Sequence, residues 1–572
     1  MTHDLVVRGG TVVDGTGATP FAADVGIARG VVAEIGRIAG RGREEIDARG
    51  CFVTPGFVDV HTHYDGQVTW SHSLVSSTFH GVTTAVMGNC GVGFAPCRRE
   101  DRTLLMRLME GVEDIPGAVL DCGLPWTWST FGDYLDALSG RRFDADVLAQ
   151  IGHAPLRVFA MGERGANREP ATARDQATMR ALVAEAIRDG AFGFSTSRTI
   201  LHRSSDGRPT FSYDAAEQEL LAIADGLRDA GAGVIQFISD FDDVDPEWAL
   251  LRRMIARAGR PASLTLLQHE HRPERWRRVL QHIHAAVDDG LAVKGQVAVR
   301  PVALILSFAL SLCPFSRLPA YEALAGLPDA ERLRALSDPA VRARILAQRH
   351  DDPAFAQRVA NFDNLYALDD PPDYEPPPES SVAAQAARAG RAPAAVAYDL
   401  LLAREGEGML YRPLYNYADR NLDVVHEMIT ARDTLLGLSD GGAHYGYICD
   451  ASFPTYLLMH WTRDRPRGGR LPIEEAVRRQ TLEPAAAVGL RDRGMLARGY
   501  KGDLNVIDMT RLALARPRIV RDLPAGGRRL AQRAEGYVAT VVAGEVTYRD
   551  GEATGALPGR LVRRGRPTRP AG

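Results

Sequence analysis

The sequence predicts an α/β protein: a (β/α)8 barrel carrying a small β-sandwich assembled from both ends of the chain. Three observations carry that reading. The middle of the chain alternates short apolar runs with amphipathic helical stretches, the pattern of a parallel sheet wound with helices. Eight apolar runs can be counted, at 57–61, 82–89, 147–152, 191–195, 233–238, 263–268, 291–299 and 434–439. The two ends share another texture, short β-rich runs punctuated by Gly and Asp. With 572 residues, more than one hydrophobic core is expected.

Taken in order, residues 4–55 read as strands at Leu5–Arg8, Gly10–Asp14, Ala23–Ile27 and Val31–Ile35. Matching runs at 503–508 and 538–548 lie near the other end. Residues 1–55 and 490–572 are therefore expected to form one composite domain, with the barrel spanning 56–489. Helices are expected at 172–189, 214–230 and 273–287, the second starting after Asp214. The long gap at about 304–433 reads as an insertion between the seventh and eighth strands. Its segment Asp369-Asp370-Pro371-Pro372-Asp373-Tyr374-Glu375-Pro376-Pro377-Pro378 must be an extended loop. An insertion there can cap a barrel mouth or be a solvated excursion.

Composition narrows the function classes. A formal net charge of −4 offers no footprint for nucleic acid or an anionic membrane. No apolar run has transmembrane length, and the start MTHDLVVRGG does not read as a signal peptide. The 6 cysteines form no CxxC pair, which fits a reducing cytoplasm. A small-molecule enzyme remains, and barrels of this size often form homo-oligomers.

Four strand ends carry chemistry. His61 and His63 follow Phe57-Val58-Asp59-Val60, and alternation along a strand points both the same way. At the C-terminal mouth of a parallel barrel such a pair holds a metal from one side, or is simply a pair of surface histidines. Cys90 lies in Gly88-Asn89-Cys90-Gly91, accessible at a strand end, although most lone cysteines are inert core residues. Asp440 closes an apolar strand before Gly441-Gly442, which holds its carboxylate at the rim; Asp before Gly-Gly is also an ordinary turn. Ser197 and Arg198 end Gly193-Phe194-Ser195-Thr196-Ser197-Arg198, and with His153 and Arg300 they are candidate substrate contacts or scaffold residues.

These segments resemble the amidohydrolase superfamily, and within it the N-acyl-D-amino-acid deacylase (D-aminoacylase) family. The carriers are VTPGFVDVHTHYDGQ (53–67), GVTTAVMGNCGVGFAP (81–96), GAFGFSTSR (190–198), LSDGGAH (438–444) and the stretch Gly499-Tyr500-Lys501-Gly502-Asp503-Leu504-Asn505-Val506. The resemblance implies a metal-bearing barrel in which His61, His63 and Cys90 are ligands and Asp440 is the general base. In that family a cysteine replaces the carboxylated lysine of many relatives. Lys294 and Lys501 are the only lysines here, so no lysine near the fourth strand can supply a carbamate.

The same family places histidine ligands at the ends of strands five and six. Here Phe237 stands at the expected strand-five position, and strand six offers Leu266, Gln268 or His269. His269 and His271 can also be exposed residues leading into the next helix. One divalent metal is therefore expected, with zinc the expected ion, held by His61, His63 and Cys90 with help from Asp440 or His269. A metal-free barrel is the alternative. The implied activity is hydrolysis of a linear amide, an N-acyl-D-amino acid or related N-acyl compound. Two other readings stand beside it: a repurposed barrel running a cyclising condensation, for which Phe237 would suit an aromatic substrate, and a non-catalytic scaffold.

Overall fold

In the computed structural model, which describes residues 3–565, eight parallel strands form one curled sheet in sequential order. They are Phe57–Asp59, Val82–Met87, Asp146–Gly152, Gly193–Arg198, Val234–Ser239, Ala262–Thr265, Val293–Val297 and Thr434–Leu436. All eight apolar runs read from the sequence lie on these strands. Val82–Met87 and Asp146–Gly152 are buried on both faces, as strands lined by side chains inside and helices outside must be. Strand one meets strand eight beyond their regular ladders. Asp440 N–H donates to His61 O at 3.2 Å and His63 N–H to Gly441 O at 2.8 Å.

The inner face of the barrel is unusually polar. Gln150, Gln236 and Gln296 project from the third, fifth and seventh strands and are buried. The outer face packs onto helices such as Ala173–Asp189, whose Thr172 and Asp175 form a reciprocal capping box. The helix expected from Asp214 starts later, at Glu217, and runs to Ala230. The preceding turn is tied to strand four, because the Ser212 hydroxyl donates to Ser197 O at 2.9 Å. Asp214 is left outside the helix, and no side chain caps it.

Both chain ends build one nine-stranded sheet. Phe52–Pro55 from the first end lies antiparallel to Leu504–Ile507 from the other, with Val53 opposite Val506. Leu5, Val25, Ile27, Leu504, Val506 and Val541 share its core. The Lys501 amine lies 2.8 Å from Asp146 at the start of the third barrel strand and 2.9 Å from Asp503. That buried charge group fastens sheet to barrel. It also accounts for one of the chain's two lysines.

Between the seventh and eighth barrel strands lies a separate small core around Phe308, Phe315, Val359 and Tyr398. A three-stranded sheet, with Ala303–Leu306 and Tyr366–Ala367 both paired to Leu410–Pro413, supports it. This unit grips the end of strand six: Asn416 N–H donates to Gln268 O at 2.9 Å and Gln268 N–H to Asn416 Oδ1 at 2.8 Å. Among the described residues no helix is long and apolar enough to cross a membrane.

Candidate metal centre

The junction of strands one and eight builds the site. Buried Asp59 accepts the backbone N–H of His61 at 3.1 Å and the Ser439 hydroxyl. Ser439 also donates to His61 O at 3.2 Å. Burial pushes the Asp59 carboxyl up to about 7, with the Ser439 and His61 hydrogen bonds opposing it. The effect is to lock the two strand ends in register, so that His61, His63 and Asp440 face each other.

His61, His63 and Cys90 place one ligand atom each within 4.8 Å of one another, and all three are buried. His61 Nε2 lies 3.2 Å from Cys90 Sγ and 3.3 Å from Asp440 Oδ1. His63 Nε2 lies 3.5 Å from the same oxygen. Cys90 adopts a left-handed backbone conformation, φ +55°. It is held there by its N–H, which donates to Gln236 Oε1 at 2.8 Å. The next residue has to be glycine: φ is +69° at Gly91, and a Cβ there would sit 2.9 Å from Thr196 Cα.

The far side of each imidazole is also held. Gln296 Oε1 is 2.6 Å from His61 Nδ1, and Glu113 Oε1 is 3.3 Å from His63 Nδ1. An oxygen beside Nδ1 favours the proton on that nitrogen in the neutral ring, the form in which Nε2 can ligate. Burial opposes a charge on His63, but the Glu113 carboxylate and hydrogen bonds to Asp440 and Cys90 outweigh it and raise His63 well above its ordinary value, so a proton sits among the converging nitrogens, sulfur and carboxylate oxygen. A divalent cation of borderline softness fits that donor set and would take the place of the proton. Burial pushes the Cys90 thiol up to about 12, a cost that cation binding removes by favouring the thiolate. Burial also raises Asp440, but the His63 hydrogen bond and the His61 and His63 charges outweigh it and hold the carboxyl well below its usual range.

Sequence reasoning missed Glu113, His444, His202, Gln236 and Gln296. Glu113 ends the helix Arg102–Glu113 and is buried, and burial pushes its carboxyl up to about 7. His444 Nε2 stands 3.6 Å from Glu113 Oε2 and 3.9 Å from Asp440 Oδ2. Its place in LSDGGAH, four residues after Asp440, was the available signal. The His202 ring pairs with the Ser197 hydroxyl at 2.9 Å. Nothing local marks Glu113, Gln236 or Gln296, because their partners come from other strands. Asp440 and His444 side chains keep 16% and 14% of their surface exposed, which leaves the centre open on their side.

Several expected contacts lie elsewhere. Phe237 is not turned toward the metal cluster. Alternation sends Gln236 inward, so Phe237 packs in the outer core near Phe241. The ring offered in support of an aromatic, cyclising substrate is therefore outside the site. His269 is outside the ligand cluster too: it rests edge-on against Tyr415, ring centres 4.8 Å apart, because strand six bends onto the insertion. His153 uses both nitrogens on Thr196 and Glu219, at 2.8 Å each, in the helix layer. Arg198 pairs with Glu247 at 2.6 Å. Arg300 is fully buried, 3.1 Å from Asp450 and stacked 3.7 Å over the Tyr374 ring. Of the four proposed substrate contacts, only Ser197 stays beside the mouth, through His202.

A parallel barrel with this constellation at the C-terminal ends of its strands defines a hydrolase of carbon–nitrogen bonds other than peptide bonds. The chain belongs to the amidohydrolase family, whose model matches residues 44–548. An uncharacterised protein of Mycobacterium tuberculosis is 29% identical over 605 aligned positions, covering 99% of this chain and 95% of that protein. The N-acyl-D-aspartate deacylase of Alcaligenes xylosoxydans xylosoxydans is 35% identical over 196 positions, 34% of this chain and 36% of that enzyme. Among solved structures, D-aminoacylase superposes with a TM-score of 0.65 at 24% identity, covering 98% of this chain and all of that one. The N-acyl-D-glutamate deacylase of Bordetella bronchiseptica, solved with zinc and a phosphonate inhibitor, gives 0.64 at 23%, again covering 98% of this chain and all of that one. At those identities the superpositions establish the fold alone.

Proposed function

We propose that the protein is a metal-dependent hydrolase of a linear amide, acting on an N-acyl-D-amino acid or a closely related N-acyl compound. The observation that carries the reading is the convergence of His61 Nε2, His63 Nε2, Cys90 Sγ and the Asp440 carboxylate on one point. Relatives that are N-acyl-D-amino-acid deacylases in name support the substrate class.

His61, His63 and Cys90 would hold one divalent ion, with zinc the ion that best matches imidazole and thiolate. When bound, the ion supplies Lewis acidity toward the scissile carbonyl and toward water. Asp440 takes the proton of the attacking water and delivers it to the leaving nitrogen. It is suited to that work because it stays ionised at neutral pH and keeps part of its carboxylate exposed on the open side. Gln296 and Glu113 favour the ligating tautomer of both neutral imidazoles. Gln236 fixes the Cys90 backbone. With an amide, not a histidine, directed inward from strand five, one ion is held rather than two.

The test pairs turnover with metal content. Released amine is measured against N-acetyl-D- and N-acetyl-L-amino acids, with metal quantified in the parent, His61→Ala and Cys90→Ala. The expected result is D-selective release and about one equivalent of metal in the parent, with much less in both variants. Full metal content in both variants would overturn the ligand assignment. Absence of release from every N-acyl compound by the metal-loaded parent would overturn the substrate class.

A further inference from the structure

Arg198 and Arg300 are engaged by Glu247 and Asp450, so neither is free to meet an anionic substrate. The insertion between strands seven and eight brings another arginine to the mouth. On one side it is tied just past the end of strand six, where the Asn361 and Asn364 amides donate to Glu270 Oε1 at 3.3 and 3.2 Å. On the other it is tied just past His444, where Ile305 N–H donates to Tyr447 O at 2.7 Å and Ser311 N–H to Gly446 O at 3.2 Å. Just before Asn361 runs the helix Pro353–Val359, capped by Asp352 and anchored by Phe355 and Val359 in the insertion's core.

Arg358, on this helix, is unpaired. Its Nε is buried and meets no acceptor, and among the described residues its side chain has no ion pair or hydrogen bond. The arginines around it differ: Arg412 and Arg420 meet Glu270 at 2.8 and 3.4 Å, and Arg275 meets Asp242 at 3.0 Å. The field of Arg358 falls on the mouth. Burial pushes the Tyr415 hydroxyl up to about 12, and the Arg358 charge is foremost among those opposing the rise. Burial likewise raises the Tyr447 hydroxyl against the same charge. Burial lowers the His444 imidazole to about 4, and Arg358 adds to that lowering. Tyr447 Oη is 3.3 Å from His444 Nδ1, so these groups adjoin the open side of the metal centre.

An exposed arginine is satisfied by water. One with a sealed Nε edge and no carboxylate holds its charge at lower dielectric, so an anion at its outer nitrogens is bound more strongly. The planar fork of a guanidinium fits a carboxylate in particular. We propose that Arg358 is the specificity-determining residue of the mouth, taking the carboxylate of an N-acylated amino acid while the scissile amide lies at the metal centre. The inference rests on the deacylase reading of that centre and adds to it that recognition comes from the insertion, not from the barrel strands. Neutral N-acyl compounds are then poor substrates for want of a partner for Arg358.

The test compares N-acetyl-D-leucine with the neutral N-acetyl-D-leucinamide. Acetate release by the parent, Arg358→Met and Arg358→Lys gives KM and kcat. Calorimetric titration of Asp440→Asn, with and without Arg358→Met, gives binding apart from turnover. The parent is expected to show a KM at least about tenfold lower for the acid. Arg358→Met should raise the acid's KM about tenfold, so that the two compounds become alike, and Arg358→Lys should recover part of the difference. Urea midpoints of the variants report whether they fold. The same preference for the acid should appear in the titration of Asp440→Asn and vanish with Arg358→Met. Turnover with equal KM for the two compounds, or a preference that survives in folded Arg358→Met, would overturn the proposal and leave the deacylase reading standing. Acid-selective binding that depends on Arg358, without turnover of either compound, would overturn that reading and leave the carboxylate site. Absence of acid-selective binding in Asp440→Asn would overturn the proposal.

Discussion

Gln296 and His61 are 235 residues apart in the chain, yet Gln296 Oε1 lies 2.6 Å from His61 Nδ1. On its other side the Gln296 amide nitrogen donates to Ser263 Oγ at 2.8 Å. Gln296 thus bridges Ser263 on strand six to His61 on strand one and holds the imidazole plane toward Cys90 and Asp440.

Gln296→Leu should accordingly weaken metal binding by about 10- to 100-fold while the barrel stays folded. Competition with a chromophoric chelator measures it. Unchanged affinity would mean that His61 is oriented by packing alone.

Asp440→Asn removes the proton acceptor but keeps the shape of the rim. Turnover should fall by at least about 100-fold with metal content retained. Activity close to the parent's would remove Asp440 from the role of base.

Arg300 is an internal brace rather than a substrate contact. Its guanidinium meets Asp450, Ser452 and Cys449 O, and lies over Tyr374. Asp450→Ala leaves that charge buried without its carboxylate and should destabilise the fold by about 3–5 kcal/mol. Urea denaturation of parent and variant measures this. A loss confined to KM, with the midpoint unchanged, would return Arg300 to the substrate.

His80 is sealed between Thr455 and Gln532 O, at 2.8 and 3.1 Å. Burial pushes its pKa down to about 3 from an ordinary 6.5. Below pH 6.5 the unfolded chain takes up a proton here that the folded chain refuses. This contribution to stability is therefore complete above pH 6.5 and declines as pH falls toward 3. In His80→Gln, unfolding midpoints should fall less steeply over that interval than in the parent. Parallel curves for the two proteins would show that His80 does not titrate as described.

The alternation of strand and helix, the His61–His63 spacing, the glycines around Cys90 and the Asp440-Gly441-Gly442 turn are all local. Each depends on neighbours within a few residues, so the barrel and the elements that carry its candidate ligands were legible in one dimension. The phase of strand five was not. Whether Gln236 or Phe237 faces inward depends on how that strand registers against Ser195 and Thr196 next door, and a shift of one residue exchanges the two faces. Arg300 was legible as an arginine at a strand end but not as a buried one, because Asp450 and Tyr374 arrive from distant segments. Glu113, Gln236 and Gln296 became parts of the centre only when curling the sheet brought far-apart strand ends and the Glu113 helix within hydrogen-bonding distance. Chain-local periodicity determines which elements form; the packing of strand on strand decides which of their side chains meet.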